Sequence, residues 1–102
     1  MKDKMIAQLT INKKQYSIRA TGHSIERMAE RDIDEEIVVG NIMALGREKI
    51  IQLQNEEAEA IIIDENTNSS IVIGFKKNKI QVITVINKAN VFVKEGTEVV
   101  NL

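Results

Sequence analysis

One histidine and two arginines follow each other at intervals of four residues, at positions 23, 27 and 31. An imidazole exchanges a proton near neutral pH, and a guanidinium group binds a phosphate through two parallel hydrogen bonds. Together these groups suit the cleavage of an RNA phosphodiester by the adjacent ribose 2′-hydroxyl. In that reaction a protein supplies proton transfer, charge stabilisation and alignment. The residue types therefore indicate phosphodiester chemistry that needs neither a metal nor another cofactor.

A short helix is predicted to carry these three residues, over about 23–31. Thr21-Gly22 interrupts the preceding strand pattern, and the side-chain oxygen of Thr21 or Ser24 can cap a helix that follows. On a helix, Arg27 lies at about 40° and Arg31 at about 80° from His23, so the three share one side. The other side, predicted to face the core, carries Ile25, Met28 and Ala29.

Each of the three residues also has a purely structural interpretation. A lone histidine at a helix end often hydrogen-bonds to the backbone. Both arginines have acidic neighbours at the spacing of ordinary surface ion pairs. These neighbours are Glu26 and Glu30 for Arg27, and Asp34 and Glu35 for Arg31.

Length and composition predict a single α+β domain spanning residues 1–102. A chain of 102 residues supports one hydrophobic core, and with 43% apolar but only 3% aromatic residues that core must consist mainly of aliphatic side chains. The absence of cysteine excludes disulfides and a cysteine nucleophile. The start, Met1-Lys2-Asp3-Lys4, has no apolar leader, and no apolar run is long enough to span a membrane. We therefore expect a cytoplasmic protein.

Charge is unevenly distributed along the chain, although the formal net charge is only −1. Residues 1–31 contain seven basic and three acidic residues, and residues 76–102 contain five basic and two acidic residues. Residues 32–75 contain two basic and ten acidic residues. This pattern predicts a basic region built from both ends of the chain and an acidic region elsewhere, or solvated charge without a partner.

The remaining pattern predicts an N-terminal β-hairpin, two short helices and then an antiparallel sheet. Alternating apolar residues define the hairpin over 5–20, and a second helix runs from Asp34 to a stop at Gly46. Five strands are then predicted: Ile50–Leu53, Ala58–Ile63, Ile71–Phe75, Ile80–Ile86 and Val91–Val93.

The stretch from Gly22 to Glu36, GHSIERMAERDIDEE, resembles the His-x-x-x-Arg-Met-x-x-Arg-Gly-Ile signature of a small bacterial and phage domain grouped with RelE-type toxins. It also resembles a helix of the RegB-type phage endoribonucleases. Both belong to the barnase–colicin–RelE fold family, so the resemblance implies a RelE-like α+β fold with a curved antiparallel sheet. The chain departs from the signature in having Asp32 in place of glycine. It also departs from the RegB type in having no histidine besides His23.

The resemblance implies a metal-independent endoribonuclease, a toxin or phage regulator, that uses His23 for proton transfer and Arg27 and Arg31 on the scissile phosphate. RelE-type sites use Lys, Arg and Tyr, so the implied partners of His23 are Tyr16, Thr84, Lys76, Lys77 and Lys79. The predicted RNA-binding residues are Arg19, Lys76, Lys77 and Lys79. The alternative is a non-catalytic module of the same fold that binds RNA or a protein partner such as an antitoxin.

Overall fold

The computed structural model describes residues 3–102, so Met1 and Lys2 of the predicted leaderless start lie outside the described residues. The chain folds as α+β, as predicted. Within the described residues the elements are, in order, β1 (Lys4–Ile11), β2 (Lys14–Ala20), α1 (Gly22–Glu30), α2 (Glu35–Met43), α3 (Arg47–Glu56), β3 (Glu59–Asp64), β4 (Ser69–Lys76), β5 (Lys79–Ile86) and β6 (Glu98–Asn101).

The six strands form one sheet in the order β1-β2-β5-β4-β3-β6. The predicted N-terminal hairpin is present, because β1 and β2 pair antiparallel through the turn at Asn12 and Lys13. The prediction of an antiparallel sheet was wrong in part, since β2 pairs with β5 and β3 pairs with β6 in parallel. Both parallel pairs join strands that are distant in sequence. Alternation within each strand does not encode such pairing.

The segment predicted as a strand over Ile50–Leu53 is instead the middle of α3, so there are three helices rather than two within the described residues. Ile50 and Leu53 are both buried and lie three residues apart, which is a helical spacing. Their neighbours are mostly good helix formers, namely Arg47, Glu48, Lys49, Gln52 and Gln54. Gly46, with φ +85°, precedes this third helix, whereas α2 already ends at Met43.

All three helices pack on one face of the sheet, which we call the inner face. Met28 of α1, Ile42 of α2 and Leu53 of α3 belong to the same buried cluster as the sheet residues. The inner-face residues of the strands include Tyr16, Ile18, Ala20, Ala60, Ile62, Ile71, Ile73, Phe75, Ile80, Val82 and Val85. The alternating strand residues form the opposite, outer face, because successive side chains of a strand point to opposite sides.

The C-terminal part of the chain differs from the predicted pattern. Val91–Val93 lies in the irregular segment between β5 and β6, and the final strand begins at Glu98. β6 is short and pairs on one side only, with β3, so only a few of its residues carry a strand signal. Among the described residues, no helix has the length and apolar character needed to cross a membrane.

Candidate nucleic-acid interface

Helix α1 lies alongside the second half of β5, beyond the point where β2 ends. Thr21 fixes its start, because its backbone N–H donates to the Val82 carbonyl at 3.2 Å and its hydroxyl donates to the Ile83 carbonyl at 3.3 Å. The Thr21 hydroxyl also accepts from the Ser24 N–H at 3.0 Å, which confirms the predicted cap. Arg31, at the other end of α1, donates to the Val85 carbonyl. Helix α1 therefore runs in the same direction as β5.

The buried side of α1 differs from the predicted one. Ser24 is fully buried and Met28 is 6% exposed, whereas Ala29 is exposed and Ile25 is half-buried. The Ser24 hydroxyl donates to the Thr21 carbonyl at 2.8 Å, which satisfies this buried polar group. Arg31 is turned toward β5 as well, so the helix side predicted to be free is partly used in packing.

His23 is exposed, on the first turn of α1. Across residues 3–102 its imidazole has no hydrogen-bond or ion-pair partner. It is therefore open to solvent rather than bonded to the backbone, which disfavours the structural interpretation of this residue. Its role in proton transfer stays a prediction.

Arg27 pairs with Glu30 at 2.7 Å, as its structural interpretation predicted. The arginine side chain is 35% exposed and the glutamate side chain 57% exposed, so this is an ordinary surface pair along the helix. Arg31 bonds to the Val85 carbonyl instead of Asp34 or Glu35. Both arginines thus have partners within the domain, and their assignment to the scissile phosphate stays a prediction.

The four predicted RNA-binding residues converge on the outer face. The parallel pairing of β2 and β5 places Arg19 opposite Gln81, and the β4–β5 hairpin places Lys76 opposite Lys79. Together with Lys77 they line one groove of about 500 Å³, which we call the basic groove. The remaining lining residues are Asp3 and Gln81. Of the predicted basic region, the groove therefore brings together one cation from residues 1–31 and three from residues 76–102.

The basic groove carries four positive charges and one negative charge. Among residues 3–102, none of Arg19, Lys76, Lys77 and Lys79 forms an ion pair, whereas Lys4, Arg27 and Lys49 do. Asp3 is the single carboxylate in the lining, and its Oδ2 accepts from Gln81 Nε2 at 3.2 Å. These uncompensated cations create a positive potential along the groove.

Thr84 and Tyr16, two of the predicted partners of His23, are placed differently. Thr84 is half-buried and pairs with Val72 on the outer face, outside the lining of the basic groove. Tyr16 is 4% exposed and belongs to the core cluster. Burial removes Tyr16 from any solvent-facing site, and the catalytic role assigned to Thr84 stays a prediction.

A second, smaller groove lies at the other end of β5, where α1 finishes. It has a volume of about 190 Å³, and we call it the polar groove. Its lining consists of Arg31, Asp32, Ile33, Ile37, Thr67, Asn68, Ser69 and Asn87. Arg31 is the one member of the predicted site that lies here, whereas His23 and Arg27 line neither groove.

Sequence reasoning missed Asp3, Gln81 and the amides of the polar groove. Gln81 carried a signal, since it is the polar residue between Ile80 and Val82 in an alternating strand. Asn68 directly precedes β4 and Asn87 directly follows β5. Their positions in the sequence predict loop residues and give no sign of a shared groove. Scans against protein-family models and searches of curated proteins and of solved structures gave no match.

Proposed function

We propose that this protein binds single-stranded RNA through its basic groove. The observation that supports the proposal is the convergence of Arg19, Lys76, Lys77 and Lys79 on one face, without ion pairs among the described residues. A row of uncompensated cations attracts a phosphate backbone, and binding releases the counterions condensed on it. The backbone conveys no sequence information, so the basic groove fixes the position of the RNA rather than its identity.

The second candidate function is metal-independent endoribonuclease activity of the RelE/RegB type. The exposed His23 supports it, because an imidazole without an internal partner is free to exchange a proton with a bound RNA. In this reaction the 2′-hydroxyl gives up its proton and its oxygen bonds to phosphorus, which forms a 2′,3′-cyclic phosphate. The bond from phosphorus to the 5′-oxygen breaks, and that oxygen takes up a proton. The internal pairs of Arg27 and Arg31 favour a binding module over this candidate.

Fluorescence anisotropy with a labelled single-stranded RNA tests the binding proposal. We expect Lys77→Ala to weaken binding and Lys94→Ala, an exposed lysine outside the basic groove, to leave it unchanged. Polyglutamate serves as a competitor, since an acidic protein segment would meet the same cations. Equal loss in both variants, or displacement of RNA by stoichiometric polyglutamate, would contradict RNA as the ligand.

Incubation with RNA in the presence of EDTA tests the endoribonuclease candidate. Cleavage by the wild-type protein that is lost in His23→Ala supports a role for His23 in the reaction, provided that RNA affinity is retained. Arg27→Ala serves as the second variant, because its removal breaks only a surface pair. Absence of cleavage by the wild-type protein excludes this candidate and leaves the binding module.

A further inference from the structure

The polar groove combines an apolar wall with hydrogen-bond donors in a volume of about 190 Å³. Ile33 and Ile37 supply the wall, and Arg31, Asn68 and Asn87 supply N–H donors. The lining also includes one exposed carboxylate, that of Asp32. Sites for drug-sized ligands start at about 300 Å³, so this groove suits a smaller, planar group. Proteins hold a nucleobase that has left its stack by packing aromatic or apolar side chains on its ring and by hydrogen-bonding its edge.

The donors of the polar groove are held in place by other contacts. Arg31 is fixed to the Val85 carbonyl, which leaves further N–H groups of its guanidinium for a ligand. Asn68 accepts from the Ala89 N–H at 2.9 Å through Oδ1, so its Nδ2 group is the part that remains to donate. Such fixed donors cost little ordering entropy when they bind.

Asn87 is exposed, and its backbone is anchored by the residues that follow it. Ser70 Oγ donates to the Lys88 carbonyl at 2.6 Å, and Asn68 holds the Ala89 N–H. These two bonds fix the chain directly after β5, where Asn87 lines the polar groove. The backbone of Asn87 is therefore held beside the groove by the residues that follow it.

The two grooves lie at opposite ends of β5. Lys79 lines the basic groove at the start of the strand, and Asn87 lines the polar groove just beyond its end. Eight residues of extended chain separate them by about 26 Å. Helix α1 runs along the same strand on the side of the inner face, whereas the basic groove lies on the outer face. An RNA strand that occupies both grooves would therefore pass from the outer face at the start of β5 to the helix side at its end.

We propose that the polar groove is a subsite for one unpaired nucleobase with an acceptor-rich edge, and that uracil is the base it takes. This inference rests on the proposed RNA binding and adds base recognition to it. The N–H groups of Arg31 and Asn68 match the two carbonyl oxygens of uracil, and the amide oxygen of Asn87 matches the N3–H group between them. Cytosine replaces one of those oxygens by an amino donor and has an acceptor at N3, so it fits this set less well.

Anisotropy titrations with labelled oligomers of about eight nucleotides test the subsite, since single-stranded binding domains cover such lengths. The probes are oligouridylate, oligocytidylate and an abasic ribose-phosphate oligomer of equal length. We expect the wild-type protein to bind oligouridylate at least about fivefold more tightly than either other probe. We expect Asn87→Ala to remove that preference and to leave the salt dependence unchanged, because the substitution alters no charge.

Asn90→Ala is the matched control, since Asn90 is an exposed asparagine of the same segment outside the polar groove. It should bind like the wild-type protein, and thermal melting checks that both variants are folded. Salt-dependent binding without preference among the three probes would overturn the subsite and leave the proposed function in place. A uridine preference that survives Asn87→Ala would also overturn it. Failure of all probes to bind would overturn both proposals.

Discussion

The cations of the basic groove and the arginines of the α1 segment differ in whether they have partners within the domain. Arg19, Lys76, Lys77 and Lys79 line a groove on the outer face without ion-pair partners among residues 3–102. Arg27 and Arg31 of the α1 segment bond to Glu30 and to the Val85 carbonyl. A cation that already has a partner contributes to the fold, whereas an uncompensated cation is available to a ligand. The comparison therefore supports the proposed binding at the groove, and it shows that the two arginines contribute contacts within the domain.

The largest expected effect is a loss of RNA affinity when the lysines of the basic groove are replaced. Replacing Lys76, Lys77 and Lys79 together by glutamate converts attraction of phosphate into repulsion, which costs several kcal/mol. We expect RNA affinity to fall at least about 100-fold, because this corresponds to about 2.7 kcal/mol. The melting temperature should stay close to that of the wild type, since all three side chains are exposed. A large loss of stability with retained affinity would reverse the assignment.

Arg31→Ala is expected to lower the stability of the fold, which the lysine substitutions leave unchanged. The substitution removes a charged hydrogen bond to the Val85 carbonyl, so the free energy of unfolding should fall by about 1.5–3 kcal/mol. Urea denaturation measures this change, and Arg31→Lys should recover part of it because the ammonium group retains a donor. If Arg31→Ala leaves stability unchanged, the residue does not anchor α1 to β5.

Thr21→Ala tests how firmly α1 is attached at its other end. The hydroxyl caps the helix at the Ser24 N–H and also bonds to the Ile83 carbonyl, so we expect a loss of about 1 kcal/mol. Thr21→Ser keeps both bonds and should be close to neutral in the same denaturation experiment. Equal losses in the two variants would show that the methyl group, rather than the hydroxyl, supports the helix.

Arg27→Ala should have the smallest effect on stability. Its pair with Glu30 is a surface pair between residues three apart on a helix, and such pairs contribute about 0.2–0.5 kcal/mol. Glu30→Gln should cause a similarly small change. A double-mutant cycle on these two residues measures their coupling directly. A coupling energy above about 1 kcal/mol would place Arg27 among the structural anchors of α1.

The sequence revealed the local features of this protein better than the long-range ones. Alternation located β1, β2 and the β3–β5 hairpins, and Thr21 was one of the two residues predicted to cap α1. Helix α3 was mistaken for a strand because a short run of apolar residues fits both periods. Lys76, Lys77 and Lys79 line one groove because all three belong to the β4–β5 hairpin, which is a local feature of the sequence. The bond from Arg31 to Val85 joins residues 54 positions apart, and no local pattern encodes it.

The dependence of RNA affinity on salt concentration tests the central claim most directly. Four phosphate contacts predict a slope of about −2.8 for the logarithm of affinity against the logarithm of salt concentration. Lys77→Ala should reduce the steepness by about 0.7, whereas Lys94→Ala should not change it. A slope near zero, or one that Lys77→Ala leaves unaltered, would contradict the assignment of the basic groove to RNA.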